Sequence, residues 1–114
     1  MSCYVKRFAE PYMLKIEDGN IKEYSGRIMY QIDGDYVKTF GRPYMYKIDG
    51  DNIKEFSGRI ILQVENGYIK RFGSPYMAKI DGKYIKEYSG RIMYEIDGFI
   101  THKEMMALIA LLFA

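Results

Sequence analysis

Ile21-Lys22-Glu23-Tyr24-Ser25-Gly26-Arg27-Ile28-Met29-Tyr30-Gln31-Ile32-Asp33-Gly34 decides the fold. Two short apolar runs flank a Ser-Gly pair and end in Asp-Gly, and turn signals of this kind fall about every eight residues along the chain. Eight residues leave about six for a strand and two for a tight loop, which is too little room for a helix. The stretch is therefore expected to be a β-hairpin. Its opening pattern, Ile/Val-Lys-x-aromatic, recurs outward from it as Val5-Lys6-Arg7-Phe8, Val37-Lys38-Thr39-Phe40, Ile53-Lys54-Glu55-Phe56, Ile69-Lys70-Arg71-Phe72 and Ile85-Lys86-Glu87-Tyr88, at a constant step of 16 residues.

The turns carry residues suited to primed hairpins. Asp33-Gly34, Asp49-Gly50, Asp81-Gly82 and Asp97-Gly98 tolerate positive φ, which such turns require. Asp18-Gly19 and Asn66-Gly67 fall one residue out of step, so longer or bulged turns are expected there. Pro11, Pro43 and Pro75 alternate with Arg27, Arg59 and Arg91, giving a longer period of 32 residues present three times. Proline lacks an N–H and belongs at a strand start or an outward edge, so alternate hairpins occupy different environments.

The expected fold is an all-β antiparallel meander of six hairpin repeats over residues 4–99, barrel-like or curved, with an apolar helix over 101–114 packed in or on it. The whole of 1–114 forms one repeat domain; a hairpin β-solenoid capped by the helix is the alternative. With two-residue loops at both turns, Ile21 lies opposite Tyr30. One face then collects Ile21, Ile28, Tyr30 and Ile32, and Ile53, Ile60, Leu62 and Val64, with Glu23 or Glu55 as the polar exception. That face is the expected core. Asn20, Lys22, Tyr24, Arg27, Met29 and Gln31 make the wet one. Arg7, Glu23, Thr39, Glu55, Arg71 and Glu87 share one repeat position, where neighbouring units are expected to pair opposite charges.

The period stops after Gly98. Thr101 and Glu104 have the spacing of a capping box, with Ile100 and Met105 as its hydrophobic staple. Residues Met105 to Ala114 are all apolar, and a helix apolar on every side must be buried. Ten residues span only ~15 Å, about half a bilayer core, so a membrane anchor is not expected.

Composition narrows the function classes. Seventeen basic and fifteen acidic side chains are spread evenly for a net charge of +2, which disfavours nucleic acid and membrane surfaces as partners. Cys3 is the sole cysteine and the N-terminus lacks a secretory pattern, which points to a cytoplasmic protein. One cysteine and one histidine cannot assemble a zinc site, so no metal or cofactor is expected. His102, beside no nucleophile, is expected at the surface. The turn aspartates serve the backbone, and no catalytic residue is assigned. What remains is a non-catalytic structural or protein-interaction module, with a protein partner or self-association. Carbohydrate binding on a Tyr/Lys surface of Lys22, Tyr24, Lys54, Phe56, Lys86 and Tyr88 is the alternative.

Overall fold

A computed structural model describes residues 2–114; Met1, which falls within the expected domain, lies outside the described residues. Strands β1 (Ser2–Arg7), β2 (Tyr12–Glu17), β3 (Asn20–Glu23), β4 (Ile28–Asp33), β5 (Tyr36–Thr39), β6 (Tyr44–Asp49), β7 (Asn52–Glu55), β8 (Ile60–Glu65), β9 (Tyr68–Arg71), β10 (Tyr76–Asp81), β11 (Tyr84–Glu87) and β12 (Ile92–Gly98) precede helix α1 (His102–Phe113). Each strand pairs antiparallel with its sequence neighbours, and β1 closes on β12 to make a barrel. A solenoid is thereby excluded. The seam is tight: a Cβ on Gly98 would lie 2.7 Å from the Ser2 carbonyl oxygen, and Gly98 itself has φ +119.

Two kinds of turn alternate around the barrel. At one end every turn has two residues, including Asp18-Gly19 and Asn66-Gly67, which are neither longer nor bulged. Their phase shift changes turn type instead. Asp18 and Gly19 have φ of 53 and 78, and Asn66 and Gly67 of 50 and 83, so both central residues are left-handed. In Gly34-Asp35, Gly50-Asp51 and Gly82-Lys83 only the glycine is.

At the other end the loops have four residues, such as Tyr24–Arg27, and each is preceded by a register shift. Ile21 pairs with Tyr30 as expected, but Lys22 then pairs with Ile28. The assumption of two-residue loops at both ends is corrected here, with a consequence for the core. The bulge re-aims the start of β4, so Met29 rather than Ile28 packs against the core, and Ile61 rather than Ile60 does so in β8. A shift at the corresponding place in every such hairpin also supplies the bending that ring closure needs.

The remaining inward positions are as the alternation requires: Val5, Ile21, Val37, Ile53, Ile69 and Ile85 are fully buried. Cys3 is fully buried beside them. About eight strands make a barrel whose own side chains fill it, and twelve leave a wider lumen. Helix α1 occupies that lumen. Five consecutive residues, Met106 to Ala110, are buried, as only a helix surrounded on all sides can be.

Both helix ends are tied to the barrel. Thr101 and Glu104 form the expected capping box, and Glu104 also accepts a hydrogen bond from the Gly19 amide at 3.2 Å. Lys103 pairs with Asp35 at 2.9 Å and His102 bonds the Gly50 carbonyl at 3.0 Å, so three two-residue turns hold the helix N-terminus. At the opposite end Arg71 donates to the Phe113 carbonyl at 3.0 Å, supplying the positive charge that the last helical turn lacks. The residues that share one repeat position, Arg7, Glu23, Thr39, Glu55, Arg71 and Glu87, form no ion pairs between units among the described residues. Glu23, Glu55 and Glu87 bind Arg27, Arg59 and Arg91 within their own loops, because the four-residue loop folds its arginine back four positions.

Two outcomes follow for stability. Leu108→Ala is expected to cost about 2–5 kcal/mol, since it opens a cavity between helix and wall; urea unfolding measures it. Ala9 has φ 65 where Gly41 and Gly73 stand in the equivalent loops. Ala9→Gly is therefore expected to stabilise by about 0.5–1 kcal/mol in the same assay, despite the usual cost of glycine.

Candidate functional site

With the lumen filled, the surfaces left open are the outer wall and the two ends of the barrel. Pleating points alternate residues outward, and on the outer side of the strands these are mostly Tyr, Lys, Asn, Gln, Asp and Glu, with Ile28, Ile60 and Ile92 opposite Lys22, Lys54 and Lys86. Near the four-residue loops the wall carries three aromatic clusters. Tyr4, Tyr12 and Tyr24 form the first, with centroids 5.3–6.2 Å apart. Tyr36, Tyr44 and Phe56 form the second at 4.8–5.9 Å, and Tyr68, Tyr76 and Tyr88 the third at 5.0–6.1 Å. These are offset and tilted arrangements that aromatic quadrupoles favour.

Local sequence explains each cluster. The first tyrosine lies on an outward strand position, the second follows Pro11, Pro43 or Pro75 into the next strand, and the third member opens a four-residue loop. That third residue is the exposed one: Tyr24, Phe56 and Tyr88 are 59%, 58% and 61% accessible. The second is anchored through its hydroxyl. Tyr12 donates to Asp97 at 2.6 Å, Tyr44 to Asp33 at 2.5 Å and Tyr76 to Glu65 at 2.9 Å. Each of these bonds raises the tyrosine pKa, because ionisation would forfeit it beside a carboxylate.

Lysines border the rings. Lys6 and Lys15 stand 5.6 and 5.7 Å from the Tyr12 and Tyr4 centroids, Lys38 and Lys47 each 5.9 Å from Tyr44 and Tyr36, and Lys70 and Lys79 5.7 and 5.3 Å from Tyr76 and Tyr68. All lie within cation–π range. In the third cluster Tyr88 separates two grooves. One, of about 390 Å³, is lined by Lys70, Ser74, Pro75, Tyr76 and Tyr88. The other, of about 400 Å³, is lined by Tyr68, Lys79, Asp81, Lys86, Glu87, Tyr88 and Gly90.

The expected surface residues Lys22, Tyr24, Lys54, Phe56, Lys86 and Tyr88 are thus divided by the structure into three places, one lysine and one aromatic at each. Lys54 and Lys86 are bound to Asp49 and Asp81, both at 2.8 Å, which lowers the pKa of those carboxylates. Sequence reasoning missed the two tyrosines that complete each cluster and the lysines Lys15, Lys47 and Lys79, which reach it from the neighbouring strand. The Pro-Tyr pairs were the available signal.

Elsewhere the chemistry is sparse. His102 is exposed at 58%, as expected. Burial pushes the Cys3 thiol up to about 11, with the Glu104 carboxylate adding to the shift and an Ile16 backbone bond opposing it. A hollow of about 420 Å³ beside Gly19, Phe99 and Glu104 is lined by groups that already hold the helix end. Among the described residues no cluster of His, Cys, Asp or Glu could hold a metal, and no helix is long and apolar enough to cross a membrane. No protein-family model, no curated protein and no solved structure matches the chain.

Stability should be lost on both sides of neutrality. Cys3, Tyr12, Tyr44 and Tyr76 have raised pKa values when folded, so their contribution is intact below the ordinary values of 9.0 and 10.0 and drains as pH climbs past them. Asp49, Asp81, Glu17 and Glu65 have lowered values, so theirs is present above 3.8–4.5 and disappears as pH falls below that window. Urea midpoints are expected to be highest near pH 7 and lower at pH 3 and pH 10.5. Cys3→Ala should soften the alkaline loss.

Proposed function

We propose that the chain is a non-catalytic binding module whose three aromatic clusters bind carbohydrate on the outer wall of the barrel. The observation that supports this reading best is the threefold recurrence of one arrangement: two tyrosines with rings within 4.8–5.3 Å and lysines over their faces, one hydroxyl fixed by a carboxylate, and a third, solvent-exposed ring packed beside them. A sugar ring offers an apolar C–H face and a rim of hydroxyls. The free aromatic supplies the complementary apolar face, and lysine ammonium groups and carboxylate oxygens supply donors and acceptors at its edge.

Three sites four strands apart around the closed barrel suit a repetitive glycan long enough to wrap it, or one presented across the end they share. Each site alone would be weak, and linkage through one polymer or one decorated surface raises the effective affinity by about 10²–10⁴. A nucleic acid partner is a poorer match, because a continuous backbone needs a continuous basic track. Here the lysines are interrupted by Asp33, Asp49, Glu65 and Asp81 on the same wall. Mid-strand lysines are also unlike the apolar outer band of a membrane-spanning barrel.

Protein interaction or self-association is the second reading, favoured by the six exposed aromatics Phe8, Tyr24, Phe40, Phe56, Phe72 and Tyr88 at 50–61% accessibility around one end. The six divide into two sets that separate the readings. Tyr24, Phe56 and Tyr88 belong to clusters, whereas Phe8, Phe40 and Phe72 form no aromatic pair among the described residues. On a glycan array the intact chain is expected to bind, and the triple Tyr24→Ala, Phe56→Ala, Tyr88→Ala variant to lose at least tenfold. The triple Phe8→Ala, Phe40→Ala, Phe72→Ala variant should bind normally. Equal losses in both variants, or no binding by the intact chain, would refute the assignment.

A further inference from the structure

The three sites carry an electrostatic feature that the fold does not demand. Across the outer wall, cross-strand neighbours run Tyr4–Lys15–Lys22, Tyr36–Lys47–Lys54 and Tyr68–Lys79–Lys86. Two lysines therefore stand directly opposite each other in all three, a placement that is destabilising in a sheet. The intervening parts of the same wall avoid it. Their neighbours run Asn20–Gln31–Lys38, Asn52–Gln63–Lys70 and Tyr84–Glu95–Lys6, with no like-charged pair.

Each opposed pair is half neutralised. Lys54 is tied to Asp49 and Lys86 to Asp81, while Lys47 and Lys79 make no ion pair among the described residues. In the first site the roles are exchanged. Glu17 stands where the others have aspartate, and it binds Lys15 at 2.9 Å, which leaves Lys22 as the lysine without an ion pair. In the second and third sites the outcome is the same, an ammonium without an ion pair over a tyrosine face, Lys47 over Tyr36 and Lys79 over Tyr68; in the first the lysine over Tyr4 is Lys15, which Glu17 already holds. In the third site the opposed lysines line the groove of about 400 Å³ whose wall is Tyr88.

From this we infer that the second and third sites each take a saccharide bearing a single acidic group, a carboxylate or a sulfate, seated against Lys47 or Lys79 while its ring stacks on the neighbouring aromatic. One free cation per site matches one anionic group per ligand. A densely charged polyanion would meet the fixed carboxylates Glu17, Asp49 and Asp81 instead. The inference rests on the carbohydrate reading and names its substrate class.

Binding of 3′-sialyllactose, its methyl ester, 3′-sulfolactose and lactose to the intact chain, followed by NMR titration, tests it. The acidic sugars are expected to bind about tenfold tighter than lactose at up to two sites per chain, and to lose that margin at high salt. The two acids distinguish carboxylate from sulfate as the preferred group. Replacing Lys47 and Lys79 together by methionine should equalise acid and lactose, whereas arginine at the same places should keep the preference. Removing one of two opposed ammonium groups does not weaken the sheet, so urea midpoints no lower than that of the intact chain will show that the variants fold. If acid, ester and lactose bind alike, the charge inference is overturned and stacking stands. If none binds, both fall.

Discussion

The structure depends on filling a lumen. Twelve strands closed by uniform neighbour pairing set a radius too large for the valines and isoleucines of the wall to meet at the axis. An empty apolar channel would forfeit dispersion contacts along its whole length, and a wet one would hydrate Ile21, Ile53, Leu62 and Ile85, all fully buried here. A single α-helix, with a diameter of about 10–12 Å, is the regular object that fits. It must be apolar on every side, and the run from Met105 to Ala114 is.

A uniformly apolar plug could enter a ring either way up, so its ends decide the direction. The capping box places Glu104 where it can also accept the Gly19 amide, and Lys103 and His102 reach Asp35 and Gly50. These turns are acidic and face the positive end of the helix dipole; Arg71 faces the negative end. Reversal would set Arg71 against unbonded amides and strand Glu104 among carbonyls. Each surface pair is individually weak, yet together they distinguish two orientations that packing alone does not.

The period of 16 residues, the glycines of the two-residue turns, the inward face of Ile21 and the buried tail were legible in the sequence because each rests on local chemistry; Asp97-Gly98, expected as a turn, instead ends β12 at the barrel seam. Phase and length of the second loop were not legible. A bulge adds one residue to one strand without leaving a composition signal, and it moved Met29 and Ile61 inward in place of Ile28 and Ile60. Asp18-Gly19 misled for a related reason, since a one-residue shift can be absorbed by turn type at constant loop length. The outer sites were half legible. Lys54 and Phe56 share one strand and its loop, but Lys47 and Tyr36 join them only through pairing across two further strands.

That division has a physical basis in how strongly each face is constrained. An inward position must be apolar and of the right volume, so its identity carries little beyond the fold. An outward position need only be polar, and here most polar residues would serve. The alternation of Asn–Gln–Lys with Tyr–Lys–Lys around one wall, under the same backbone and the same register, therefore cannot be ascribed to barrel formation. A pair of opposed ammonium groups works against the sheet that carries it. Its presence at three places, two of them with a lysine free of ion pairs over a tyrosine face, is a cost that folding does not explain and that an anionic partner would relieve.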